Sequence, residues 1–331
     1  MIAVIVVLSI QPTTASASVA ATYKGTGAVT IASGGNVPAW TWNDTSRTWS
    51  STPIASATTV YIWPFASGWS WVWTSSTGWR AVNDSYVFAT NEQRSIFVEN
   101  FNGGANTPPD TSRWKVEKGP YGYAREACFN SRNAVTDGAG SLLLLGRKES
   151  SAGCTRKYTS GSIDGRQSFG PPRPGQIITF EARMKASCGS GQWPAFWTTG
   201  VGATWPAGGE IDMVEIYGNR PFQAAHDQHA PTSIGGKWHG AYRVNSATPW
   251  CNEFHTYGVR WSTGRLDYTI DGRITTSRAR SDFQSGWLWP FDSYAQHLKL
   301  NLALGGDAPG AIDDSMLPSR TLFDWVQVTS N

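Results

Sequence analysis

Charge is scarce in this chain of 331 residues. Only 15% of them are Asp, Glu, Lys or Arg, and the formal net charge is +3, too slight a balance to hold nucleic acid by its phosphates. The short basic groups at Arg147 and Lys148, Arg156 and Lys157, and Arg278 to Arg280 read as solvated loops. No apolar run reaches the roughly 18 residues of a membrane span, and no stretch sustains the 3.6-residue apolar period of a helix. Cysteine is confined to Cys128, Cys154, Cys188 and Cys251, none of them in the C-x-x-C spacing of zinc and redox motifs. Their even number suits two disulfides in an oxidising compartment. Three pairings are open to four cysteines. The preferred one joins Cys128 to Cys154 within one local segment, and Cys188 to Cys251 between the loops before WPAFW and FHTY.

Gly, Ser and Thr are abundant, and there are 18 tryptophans; this is the composition of a sheet protein. The length predicts about two domains. Residues 1–21 open with the apolar run IAVIVVLSI, followed by Ala15-Ser16-Ala17. That pattern reads as a signal peptide with its cleavage site, or, since no Lys or Arg precedes the run, as a buried N-terminal strand of an uncleaved virion component. Residues 22–92 hold eight tryptophans and six charged residues and read as a small β module. Strand alternation puts Trp69, Trp71 and Trp73 on one face, and Trp40 with Trp42 on another. Such rows serve either as the core of a small domain or as platforms for sugar rings.

The third segment, residues 93–331, alternates strands with Gly, Pro and Asn-rich turns, as a two-sheet sandwich does. Ile177 to Met184 predicts a strand with Ile178, Phe180, Ala182 and Met184 toward the core. Ser141 to Leu145 predicts another. The segment is organised around WPAGGEIDMVEIYG, Trp205 to Gly218, where Glu210, Asp212 and Glu215 fall within six residues. On a regular strand Glu210 and Asp212 share a face, while Glu215 turns toward the apolar layer at a cost of several kcal/mol. One extra residue, taken up as a bulge at Met213 or Val214, returns Glu215 to the face of the other two. Acids this close cannot all ionise at neutral pH, so their pKa values split. That splitting fits a retaining glycosidase, which needs one ionised carboxylate to attack the anomeric carbon and one protonated carboxyl to release the leaving oxygen. An acidic edge strand or a calcium site is the plainer reading of the spacing alone.

GEIDMVE resembles the E-x-D-x-x-E signature of glycoside hydrolase family 16 in its bulged, laminarinase-like form. GQWPAFW, FHTYGVRW, YTIDGR and LNLALGG also resemble that family's strands, in order, so the likeness runs from about Phe97 to Val328. It implies an all-β fold, a concanavalin A-like β-jelly-roll sandwich with an open cleft, and endo cleavage of a β-linked polysaccharide. The first polymers to expect are β-1,3-glucan and mixed β-1,3-1,4-glucan. Galactan-type polymers are the alternative, as is a virion-associated protein that binds or degrades a glycan. By position in the motif, Glu210 is the nucleophile, Glu215 the acid and base, and Asp212 the residue that supports Glu210. Trp193 and Trp197, four apart on a strand, are expected to line the cleft, with Trp205 a further contact. The resemblance also implies a histidine facing the acids from a neighbouring strand, and His229 is the choice for it. His226, Asp227 and His229 suggest a metal site in their spacing, but a third clear ligand is missing and the chemistry needs no metal. His255 reads as a structural, hydrogen-bonded residue.

Two departures from the family pattern stand out. Ala308, in GGDAPG, takes the place of an aromatic that many of the family's β-1,3-glucanases carry in the cleft. Asn100 replaces one acid of the family's calcium site and Asp324 keeps the other, so no cofactor is required, and structural calcium at Asp324 is an open reading but not the expected one. The remaining expectations are an extracellular, monomeric protein with a polysaccharide substrate, no nucleic-acid partner and no membrane span.

Overall fold

Alternating apolar and polar residues build two layers of strands. The computed structural model describes residues 95–331, apart from Asn252, with their side chains, and before them only the backbone of the strands between Ala21 and Glu99. Residues 1–20 and their two N-terminal readings lie outside the described residues. The chain divides into two compact units, one of residues 1–94 with Asn331 and one of Ser95 to Ser330.

In the first unit, Trp40–Asn43, Thr48–Ser51, Thr59–Ala66, Trp69–Thr74 and Gly78–Asn83 form an antiparallel five-stranded sheet. Two of these strands carry the tryptophan rows expected from the alternation. The faces those rings take lie outside the described side chains.

The second unit is a sandwich of two sheets. One, of eight strands, runs in the order Trp114–Val116, Ser162–Phe169, Gln296–Leu304, Gln192–Gly200, Glu210–Ile216, Gln223–Pro231 and Lys237–His239, with Tyr242–Asn245 also pairing to Gln223–Pro231. The facing sheet of ten strands is built around Leu142–Lys148, Ser319–Ser330, Ile177–Lys185, His255–Ser262, Arg265–Ile270 and Arg273–Ala279. Period-two alternation decides what each strand buries. Ile178, Phe180, Ala182 and Met184 are all within 2% of full burial, as expected, and pack with Leu298, Leu300, Leu302 and Phe196 of the other sheet. Trp261 fills the layer beside Phe180, its rings stacked on it at 6.0 Å. The alternate residues of the eight-stranded sheet face outward and make the floor of a cleft.

Both expected disulfides are present, Cys128 to Cys154 and Cys188 to Cys251. Glu99, which precedes Asn100, and Asp324 both have protein partners. Glu99 accepts from the Phe101 backbone N–H at 2.9 Å and the Trp114 indole at 3.1 Å, and Asp324 pairs with Arg183. Among the described residues, no helix is long and apolar enough to cross a membrane.

Candidate active site

The strand Glu210–Ile216 is internal, bonded on both sides, so it is no acidic edge strand. Its pairing shows where the extra residue sits. Asp212 lies opposite Trp197 and Val214 opposite Phe196, which leaves Met213 without a partner, and the second neighbour skips the same step. The bulge carries Glu215 back to the cleft face beside Glu210 and Asp212, while Ile211, Met213, Val214 and Ile216 are completely buried.

A bulge frees a backbone carbonyl, and here His226 takes it. Its Nδ1 donates to the Met213 carbonyl at 2.6 Å, and its Nε2 meets the Thr275 hydroxyl at 2.8 Å. Burial lowers this imidazole to about 4, so it stays neutral. Strand parity separates it from its neighbours: His226 points inward, whereas Asp227 and His229 point into the cleft. Replacing His226 with Ala strips the carbonyl of its partner and opens a cavity. The expected cost is about 2–4 kcal/mol, read as a fall of melting temperature on the order of 5–15 °C; an unchanged melt would show that the bulge needs no such lock.

The cleft encloses about 690 Å³, within the range of sites that hold small organic ligands. Each end carboxylate has its own aromatic donors. The Trp205 indole donates to Glu210 at 2.7 Å, and Trp193 and Tyr217 donate to the two oxygens of Glu215 at 2.9 and 3.0 Å. Asp212 is 3% exposed, with one oxygen lacking any hydrogen bond. His229 stands opposite Glu210 in the register, its Nε2 3.4 Å from that carboxylate and 3.7 Å from Asp212. The structure therefore brings together all seven residues singled out from the sequence for the cleft: three acids, three tryptophans and His229. Asp324 belongs to the other sheet.

Burial is the main cause of the electrostatics. It pushes Glu210 up to about 8 and Glu215 up to about 7, with the charge on Asp227 adding to both, and it holds Asp212 well above the usual carboxylate range. Lys299 works the other way on Glu210. Its ammonium is itself buried, held by Asp164 at 3.2 Å and Glu117 at 3.5 Å, and lies 5.4 Å from the centre of the Trp197 ring. The triplet thus shares protons through the neutral range.

The tryptophans differ in what they offer. Trp197 is fixed by its indole N–H to Asn301 at 2.6 Å and by Tyr123 edge-on at 5.4 Å. Trp193 has the Arg125 guanidinium over its ring at 4.7 Å and Tyr217 edge-on at 5.0 Å, so it is braced on two sides. Arg125 holds that place from a left-handed backbone, φ 60°. Trp205 is 44% exposed at the rim, with Lys237 above it at 5.1 Å. Tyr123, Arg125, Tyr217, His239 and Asn301 also line the cleft without having been singled out, as does Asp227, noted in the sequence only beside the two histidines of a metal-like spacing. Parity alone could have found Asp227 and Asn301, since each alternates with buried residues on a strand that the sequence marks.

Known proteins carry the same scaffold. The chain is 29% identical over 240 residues to a β-glucanase of Rhodothermus marinus, a match covering 66% of this chain and 80% of that one. It is 27% identical over 247 residues to a keratan-sulfate endo-1,4-β-galactosidase of Sphingobacterium multivorum, covering 72% of this chain and 56% of the other. The crystal structure of an endo-β-1,3-glucanase from Pyrococcus furiosus superposes with a TM-score of 0.63 at 28% identity, over 72% of this chain and 94% of that one. The family model of the glycosyl hydrolases family 16 matches residues 129–327. That span includes the bulged strand and the strands on either side of it, and this chain belongs to glycosyl hydrolases family 16.

Proposed function

We propose that this protein is an endo-acting, retaining β-glycanase whose polymer is β-1,3-glucan or mixed β-1,3-1,4-glucan. The observation that carries this reading is the bulge at Met213, which brings Glu215 to the floor of the cleft beside Glu210 and the buried Asp212. A strand does not bear that electrostatic cost for packing alone. Glu210 attacks the anomeric carbon and forms a glycosyl-enzyme. Glu215 protonates the departing oxygen and then takes a proton from the water that releases the sugar. Asp212 sits between them and steadies the charge on Glu210. With Glu210 at about 8 and Glu215 at about 7, the free cleft near neutrality favours Glu210 protonated and Glu215 ionised, the reverse of the order that catalysis needs, so these values do not assign the roles. Position in the motif assigns the two roles. The chemistry needs no cofactor, and Asp324 is already engaged by Arg183. Two disulfides and a polysaccharide substrate fit an extracellular protein acting as a monomer, with no nucleic-acid partner.

A galactan is the second reading. Ala308 stands where many of the family's β-1,3-glucanases carry a cleft aromatic, and one relative is named as an endo-β-galactosidase. Reducing-end release should be measured across laminarin, mixed-linkage glucan, agarose and arabinogalactan. Release of oligosaccharides from laminarin or mixed-linkage glucan, with products first formed as the β-anomer, is the expected result. Release from agarose alone would transfer the assignment to galactan. Binding without release from any polymer would favour a glycan-attachment protein.

A further inference from the structure

Asp227, His229 and His239 meet at one side of the cleft although the third is distant in sequence from the other two. His229 lies opposite Glu210 on one neighbouring strand and opposite His239 on the other, and Asp227 lies opposite Asp212. The two imidazoles stack at 5.2 Å, their planes 16° apart. His239 Nδ1 is 3.0 Å from Asp227 Oδ2, and His229 Nε2 is 3.9 Å from the same oxygen. One potential ligand atom from each of the three residues lies within 4.8 Å of the others.

We infer that these three side chains form a binding site for a first-row transition dication such as Zn²⁺, and that an ion there blocks the cleft. Lys237 also lines this side of the cleft, its ammonium 5.1 Å from the centre of the Trp205 ring. His229 Nε2 faces Glu210, Asp212 and Asp227 at 3.4, 3.7 and 3.9 Å, too far for a good hydrogen bond to any of them. Asp212 Oδ2, on a carboxylate 97% buried, and His229 Nδ1 are both enclosed without a hydrogen-bond partner. A dication beside Nε2 supplies the charge that a single imidazole proton cannot. Two imidazole nitrogens and a carboxylate select zinc or copper over calcium, which prefers an all-oxygen shell. Metal–ligand bonds of about 2.0–2.2 Å require the three donors to close by roughly an ångström. His239, with a side chain 61% exposed on the terminal strand Lys237–His239, has room to make that move. An ion bound there stands beside the Glu210 oxygen that faces His229, so sugar and metal compete for the same space.

Binding is independent of the glycanase reading; blocking rests on it. Isothermal titration of the full chain with ZnCl₂, after removal of EDTA, is expected to show one saturable site that CaCl₂ does not fill. His239→Ala and His239→Gln should each weaken zinc at least about tenfold, with melting temperatures near that of wild type. No saturable zinc binding by wild type up to about 1 mM, or unchanged affinity in both folded variants, would overturn the site. On whichever polymer is cleaved, saturating zinc should lower the rate at least about tenfold, and EDTA should restore it. Zinc bound with no change in rate would overturn the blocking role. Zinc bound by a protein that cleaves none of the polymers would leave the metal site standing and remove the glycanase reading.

Discussion

Glu210→Gln is expected to lower turnover at least about 10³-fold while the protein still folds and still binds its polymer. The substitution keeps the size of the side chain and its place at the end of the bulged strand. An amide oxygen can still accept the 2.7 Å bond from Trp205. What it removes is a carboxylate able to bond to an anomeric carbon. Asp212→Asn should lose less, because Asp212 acts through its neighbour and not on the substrate. The two variants separate the proposed roles when kcat and KM are measured on the polymer identified by reducing-end release. Nearly normal turnover by Glu210→Gln would sink the assignment, and a greater loss in Asp212→Asn than in Glu210→Gln would exchange the two residues.

The same strand shows how far a sequence discloses a site. Glu215 could not point into an apolar layer without a large desolvation cost, so the bulge was demanded by burial alone, and the pairing puts it at Met213. The core face of Ile177–Lys185 was equally plain, because two-residue alternation is a local rule. Local rules also misled. His226, Asp227 and His229 look like one ligand group in the sequence, yet parity sends His226 inward to cap Met213. The partner that joins the other two is His239, which only the pairing of Gln223–Pro231 with Lys237–His239 brings alongside. Tyr123 reaches Trp197 from a short 3-10 turn, and Arg125 covers Trp193 from a left-handed residue just after it. Neither has a periodic signature. Lys299 would be read as an exposed charge on a strand of leucines, but the two carboxylates that hold it are Glu117, just after Trp114–Val116, and Asp164 on the neighbouring Ser162–Phe169, far earlier in the chain. Contacts set by strand order were therefore hidden, and contacts set by strand period were not.

A stability gap that opens with pH is the second large effect expected. Glu210 rises from an ordinary 4.5 to about 8 on folding, and Glu215 to about 7. Between pH 4.5 and about 8 the folded protein therefore holds protons that the unfolded chain has released. A raised carboxyl contributes its stability below the unfolded value and loses it as pH climbs through the folded one, so the triplet weakens the fold across this window. Roughly a pH unit beyond 8 both glutamates are ionised in the folded protein as well, and their share of the slope vanishes. Gln at position 210 cannot ionise, and it also relieves Glu215 and Asp212 of a neighbouring anion. Thermal melts of wild type and Glu210→Gln, taken in EDTA to exclude metal, should lie close together near pH 4.5, the ordinary value of this carboxyl. They should separate as pH rises, with the variant melting higher by on the order of 5 °C or more at about pH 9. Groups that titrate alike in both proteins cancel in the difference, which isolates the contribution of the triplet. A constant gap from acid to alkaline pH would mean that Glu210 ionises in the folded protein as freely as in the unfolded chain. The desolvation that splits the triplet, and with it the physical basis for one acid and one nucleophile in the same cleft, would then be absent.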